Sequence, residues 1–177
     1  SVTGENGVGI YGADSSVIKN TGTVEVGKNG TGIYAENDLK VNGESTAIST
    51  NKDINITNTG TIKAKTGSTG VYGIYAKNDK TNYKDATSTV KHSGTIDLAN
   101  SKSSVGIYTE NGNLTSSGNV SVGEGGIAIK SIKSNATLSS GNIGTTSGVG
   151  VLAENSTINT SANMTINNGI GLNLKNS

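Results

Sequence analysis

The sequence predicts an all-β fold, a single-stranded parallel β-helix, and three observations carry that prediction. The first is a recurring tripeptide. Gly-Ile-Tyr stands at Gly9-Ile10-Tyr11, Gly32-Ile33-Tyr34, Gly73-Ile74-Tyr75 and Gly106-Ile107-Tyr108. Weaker copies stand at Ala47-Ile48-Ser49, Gly126-Ile127-Ala128, Gly150-Val151-Leu152 and Gly171-Leu172-Asn173. The 162 positions from Ile10 to Leu172 divide into seven steps of about 23 residues. Such a period belongs to stacked repeats, in which each unit buries its apolar face only against its neighbours. The second observation is alternation: each unit holds three short runs of apolar and polar residues with period 2, bounded by Gly, Asn, Ser or Thr. The third is that no window keeps apolar residues at helical spacing, because the same small and polar residues interrupt every one.

Within a unit the Gly-Ile-Tyr run comes first. Its Ile is expected inside and its Tyr and Gly outside, with Val8, Val105, Val149 and Ile170 inside again. A second short run follows, as in Val17-Ile18, Ile54-Asn55-Ile56, Thr89-Val90, Leu114, Leu138 and Ile158. The third run opens with a small residue, Gly, and Thr or Asn, as in Thr21-Gly22-Thr23-Val24, Thr59-Gly60-Thr61-Ile62 and Ser93-Gly94-Thr95-Ile96. Three strands and three turns in about 23 residues make one rung, and eight copies give about eight rungs at roughly 4.8 Å each. The inward column is therefore expected to run Ile10, Ile33, Ile48, Ile74, Ile107, Ile127, Val151, Leu172. Asp14, Asn37, Asn78, Asn111, Asn155 and Asn176 stand four places after it. Asn suits a tight corner there, because it tolerates left-handed backbone and its amides can stack as a ladder.

Two steps depart from the mean. Ile33 to Ile48 is short and reads as an abbreviated rung. Ile74 to Ile107 is long and carries an insertion, Lys77 to Ala86 (KNDKTNYKDA), expected as an exposed loop. The uniform period leaves no linker, so residues 1–177 read as a single β-helix segment of a longer chain.

Composition narrows the function. Hydrophobic residues are 31 % and aromatics 3 %, values that alone would suggest disorder, but a net charge of +1 and the periodic apolar positions favour a thin continuous core. All 14 basic residues are Lys, scattered against 13 acids, which argues against nucleic-acid binding. No secretory leader or membrane-spanning segment is legible in these residues.

The strings NGTGIYAEN (Asn29 to Asn37), SVGIYTEN (Ser104 to Asn111), GVGVLAEN (Gly148 to Asn155) and NTGTI (Asn58 to Ile62) resemble passenger repeats of large fusobacterial autotransporter adhesins. The resemblance extends from Val8 to Asn176. It implies a surface-displayed β-helical stalk, tethered to the outer membrane only by a C-terminal translocator barrel that these residues do not include. It also implies partners among bacterial or host-cell surface receptors, protein or glycan, and no cofactor.

Enzymatic chemistry is the competing class, since lyases and hydrolases on β-helices cluster acids and bases in a groove. Glu36, Glu110 and Glu154 recur in one column, but Glu36 and Glu110 are expected three rungs apart, about 14 Å, too far for a carboxylate pair. The lone His92 reads as a corner side chain. No catalytic or metal-binding residues are assigned. The candidate partner contacts are the outward tyrosines Tyr11, Tyr34, Tyr75 and Tyr108, with Lys77, Asp79, Lys80, Tyr83 and Lys84 of the insertion. The tyrosines are expected as two separated pairs with a gap at Ser49, which favours a stabilising role over a continuous binding platform.

Overall fold

A computed structural model describes residues 1–37, 40–41, 44–45, 52–80 and 85–177. The first rung is β1 (Val8–Ala13), β2 (Val17–Asn20) and β3 (Thr23–Val26). The second is β4 (Thr31–Glu36), then the short pair β5 (Lys40–Val41) and β6 (Glu44–Ser45), then β7 (Ile54–Asn58) and β8 (Thr61–Ala64). The third is β9 (Tyr72–Lys77), β10 (Ser88–His92) and β11 (Thr95–Leu98). The fourth is β12 (Val105–Glu110), β13 (Asn113–Ser116) and β14 (Asn119–Val122). Next come β15 (Ile127–Ile132), β16 (Asn135–Leu138) and β17 (Asn142–Thr145), then β18 (Val149–Glu154), β19 (Thr157–Thr160) and β20 (Asn163–Ile166). β21 (Ile170–Lys175) opens a seventh level.

These strands stack into three parallel sheets, β1-β4-β9-β12-β15-β18-β21, β2-β7-β10-β13-β16-β19 and β3-β8-β11-β14-β17-β20. The fold is a parallel β-helix. Seven levels span about 29 Å at the ordinary strand spacing.

The register corrects the expected column twice. β4 pairs directly with β9, Ile33 against Ile74, although these lie 41 positions apart. Ala47, Ile48 and Ser49 lie outside the described residues, and β4 and β9 are direct neighbours in their sheet. The chain between β4 and β7 is an insertion that includes the antiparallel pair β5 and β6. Further on, Ile107 pairs with Ile129, and Ile129 with Val151, so Ile127 is not the column residue. Ala128 holds the glycine place there and is fully buried, so Gly126-Ile127 imitates the marker two residues before the true column position. The column is Ile10, Ile33, Ile74, Ile107, Ile129, Val151, Leu172. Six complete rungs and one strand replace the expected eight.

Alternation also breaks once per rung. Gly and Ile both face inward, and the strand pairing skips the glycine place. A Cβ on Gly32 would lie 2.4 Å from Ile62 Cγ2, and one on Gly106 2.3 Å from Val120 Cγ1, so a larger residue cannot occupy those places without movement. The residue before the glycine is consequently turned outward. Val8 and Ile170 are 38 % and 50 % exposed and Val149 is half-buried, against the inward expectation; Val105 is buried.

The core has three walls, each one or two apolar residues wide per level, as with Ile54 and Ile56, Ile96 and Leu98, and Val120 and Val122. Ile33, Ile74, Ile107 and Ile129 face Ile56, Val90 and Leu114 of the second sheet and Ile62, Ile96 and Val120 of the third, all fully or almost fully buried. Small β-branched and branched side chains suit so narrow a space. Beside the Ile column runs a column of small residues, Gly12, Ala35, Ala76, Thr109, Ser131 and Ala153.

Corners are closed by three devices. At the first, Asn111, Lys133, Asn155 and Asn176 have left-handed backbone, with φ of 53°, 47°, 50° and 52°. Asn37 and Asn78 are fully buried instead and form the amide ladder, Asn37 Nδ2 donating to Asn78 Oδ1 at 2.5 Å. At the second corner the glycines sit against the carbonyl of the rung before, as at Gly94, where a Cβ would meet Gly60 O at 2.1 Å. At the third, Asn6, Asn29, Gly70, Ser103 and Gly125 share left-handed backbone, each N–H donating to a carbonyl of the next rung.

Candidate functional site

The longest interruptions of the rod lie at the first corner. Only two residues separate β12 from β13, β15 from β16 and β18 from β19, whereas the second and third rungs carry insertions at this same corner. The insertions therefore lie on adjacent rungs. Of the second, residues 81–84 lie outside the described residues, and with them the candidates Tyr83 and Lys84.

The bases of both insertions are tied to the rod. Lys52 Nζ bonds Asp14 Oδ2 at 2.9 Å, with both side chains largely buried, and Lys52 O accepts from Asn37 Nδ2. Asp53 Oδ1 accepts from Thr87 N–H at 2.7 Å and from Thr87 Oγ1 at 3.0 Å. Asp79 N–H donates to Asn37 Oδ1 at 2.7 Å, and Asn78 Nδ2 donates to Ala86 O at 2.6 Å. The two ends of the second insertion thus meet at Asn78.

Two open depressions flank that base. One, of about 400 Å³, is lined by Lys77, Asp79, Lys80, Glu110, Asn111 and Lys133, among others. The other, of about 240 Å³, is lined by Lys80, Lys133, Thr87, Ser88, Asn113 and Asn135, among others. Lys77, Asp79 and Lys80 thus line one depression. Lys133 and the Asn113/Asn135 pair were missed, because the misplaced Ile127 hid that Lys133 takes the corner place held elsewhere by Asn.

The tyrosines form one continuous stack, which corrects the two-pair reading. Tyr11–Tyr34, Tyr34–Tyr75 and Tyr75–Tyr108 stack with centroids 5.7, 4.9 and 4.7 Å apart and planes within 12°. Tyr72 stands edge-on to Tyr75 and Tyr108, and Lys130 Nζ lies 5.5 Å from the Tyr108 ring centre. Lys130, not Ala128, follows Tyr108 in the column. A stack along the rod axis covers both faces of Tyr34 and Tyr75 with neighbouring rings, while Tyr11 at its end is 61 % exposed. Sugars stack on ring faces, so Tyr34 and Tyr75 offer no platform, and the arrangement favours a ladder that stabilises the rod. Tyr34 OH donates to Glu36, and Tyr108 OH donates to Glu110 at 2.5 Å. Burial, and then the Glu36 charge, push the Tyr75 hydroxyl up to about 12; burial with the Glu36 and Glu110 contacts raises Tyr34 and Tyr108 as well.

Beside the rings runs the column Glu36, Lys77, Glu110, Ile132, Glu154, Lys175. Glu36 and Glu110 are two levels apart rather than three, about 10 Å by strand spacing. Lys77 stands between them, its ammonium 3.0 Å from Glu36 Oε1 and held above the usual lysine range mainly by that bond. Glu154 pairs with Lys175 at 2.9 Å.

His92 is 2 % exposed and sits inside the second corner. Asn20 Nδ2 donates to Asn58 Oδ1 at 2.7 Å, Asn58 Nδ2 contacts His92 Nδ1 at 3.0 Å, and His92 Nε2 contacts Asn119 O at 3.2 Å. The chain runs in one direction if Nδ1 accepts and Nε2–H donates, which assigns the neutral ring to that tautomer. Burial lowers the His92 pKa, and both nitrogens are engaged. The residue is a corner strut.

No protein-family model, curated protein or solved structure matches the chain.

Proposed function

We propose that the chain is a β-helical stalk and adhesion module of a surface autotransporter passenger, supporting attachment to other bacteria or to host cells. In this reading the rod is extracellular, held at the outer membrane through a translocator barrel, and binds surface receptors, protein or glycan. The observation that carries the adhesive part is the pair of insertions on adjacent rungs at one corner, tied to the rod by Asp14, Asn37, Asp53 and Asn78. Loops fixed on a rigid scaffold are where recognition concentrates. The likeness of the rungs to autotransporter adhesin repeats supports the surface setting.

The test is binding of the labelled 177-residue chain to whole bacterial and epithelial cells, alongside a variant lacking residues 80–85. Because Asn78 already meets Ala86, the excision should leave the circular dichroism spectrum intact. Saturable binding that falls on excision supports the proposal. Absence of saturable binding to any cell type refutes the adhesive role.

A further inference from the structure

The outward face of the first sheet is richer in apolar surface than that of the second. From β7 onward the second sheet turns only Asn, Thr and Lys outward. The first sheet turns out Tyr34, Tyr75, Tyr108 and Leu152, flanked by Ile127 and Ile170, all of them at least partly exposed. We infer that this face pairs with the same face of a second copy of the chain. The two rods lie antiparallel about a two-fold axis that runs along the strands and crosses between β12 and β15. The pairing stands on the strand columns and needs neither insertion.

Charge complementarity selects the occupant. A two-fold along the strands reverses the rod but not the strand, so each column faces itself with level two against seven, three against six and four against five. Both copies share one strand spacing, which keeps the levels matched along the face. From level two to level seven the outer column reads Glu36, Lys77, Glu110, Ile132, Glu154, Lys175. Reversed on itself, it sets Glu36 opposite Lys175 of the second copy, and Lys77 opposite Glu154 of the second copy. Neither contact calls for an unpaired ion. Glu36 already bonds Lys77, and Glu154 already bonds Lys175, within one chain. Pairing closes these two bridges into a square of alternating charge, and the symmetry repeats the square at the other end. At the centre Ile132 faces Glu110 of the second copy, and that carboxylate keeps its bond from Tyr108 OH. In the next column Tyr75 faces Leu152, so the aromatic half of one rod meets the ring-free half of the other.

Only one register suits these charges. Sliding one level in one direction sets Glu36 against Glu154; sliding in the other sets Lys77 against Lys175. Parallel rods in register would set every charge against its own copy. Like-charge contacts of this kind reject the wrong arrangements. Glu36, Glu110 and Glu154 are balanced by Lys77, Lys130 and Lys175 on the same face, so no net charge opposes association. Six levels of six-residue strands make a face of about 24 by 18 Å, and two of them bury on the order of 1,000 Å² in total. That is the low end for specific interfaces, and the pair should be weak and reversible.

Sedimentation equilibrium of the 177-residue chain, carried up to about 1 mM, should show reversible dimers. K77E and E154K should each weaken dimerisation about tenfold or more, because each puts like charges together on both sides of the axis. An equimolar mixture of the two variants should recover it, since in the mixed pair both contacts again join opposite signs. Recovery also shows that both variants are folded. Carbodiimide coupling of the unaltered chain, read by mass spectrometry, tests the register separately. Glu36 and Lys175 are five levels apart, about 24 Å within one chain, so an amide between them forms only between copies. A chain that stays monomeric throughout, dimers without the Glu36–Lys175 cross-link, or folded variants whose mixture associates no better than either alone overturns the pairing. Excising residues 80–85 should leave dimerisation unchanged; its loss would move the contact to the insertion and refute the face.

Discussion

The glycines of the second corner allow two substitutions that look alike in sequence and differ in structure. Gly22 and Gly94 both sit between Thr or Ser and Thr, and neither has left-handed backbone. A Cβ on Gly22 would have nothing within 4 Å, whereas one on Gly94 would lie 2.1 Å from Gly60 O. The Gly60 carbonyl must retreat by about 0.9 Å merely to reach 3.0 Å from that Cβ, the limit that real Cβ atoms respect. It accepts the Thr95 N–H at 3.0 Å, and the Gly94 N–H itself donates to Asn58 O at 3.2 Å. Losing both bonds costs about 1–3 kcal/mol each when the groups are not rehydrated, offset by about 0.4–1 kcal/mol from the stiffer unfolded chain. Gly94→Ala should thus destabilise by about 1–5 kcal/mol and Gly22→Ala should be neutral or stabilising by up to about 1 kcal/mol. Urea denaturation followed by far-ultraviolet circular dichroism measures both. Equal midpoints for the two variants would show that the rungs do not approach each other as closely as described.

Ile74→Ala, in the fully buried column between Ile33 and Ile107, should cost about 2–5 kcal/mol in the same assay, and Ile10→Ala at the half-buried end distinctly less. Ser131 Oγ is buried without a partner among the described residues, in a column that holds Ala at Ala35, Ala76 and Ala153, so Ser131→Ala should stabilise by about 1 kcal/mol; a loss of that size would mean the hydroxyl is satisfied. His92 has a folded pKa below its ordinary 6.5, so its contribution is complete above pH 6.5 and is lost as pH falls from there through the folded value. His92→Asn should flatten the acid limb of a melting-temperature profile, and an unchanged limb would assign it to other groups. Tyr75 has the opposite sense: raised to about 12, it leaves stability intact below pH 10 and erodes it between 10 and about 12. Tyrosinate absorbance should appear late in the folded rod and earlier in urea, and Tyr75→Phe should reduce the alkaline loss.

The period, the three strands of each rung and most core positions could be read directly, because most of the short strands bury every second residue. Which rungs touch could not. Ala47-Ile48-Ser49 carries the local pattern of a rung, and the pairing of Ile33 with Ile74 is a long-range fact that no window of residues contains. Ala128 can replace the inward glycine, so the true column residue Ile129 lacked its marker. Those two slips propagated into the site. They split a four-ring stack into pairs, placed Glu36 one level too far from Glu110, and concealed Lys133 at the corner. The inward glycine was misread for a different reason: strict period 2 forbids two successive inward residues, and the rung bends at that place.

The tyrosine stack also makes the rod its own reporter of direction. Every tyrosine lies at or before Tyr108, and those of the described residues crowd one face of the first four levels. The later levels carry no aromatic ring at all. Closely stacked phenol rings couple in the near ultraviolet, so that signal belongs to one end of the molecule while the far-ultraviolet signal belongs to its whole length. Fraying that begins at β21 would dim the second and spare the first. Fraying that begins at β1 would weaken both together, and an unlabelled sample would reveal which end lets go.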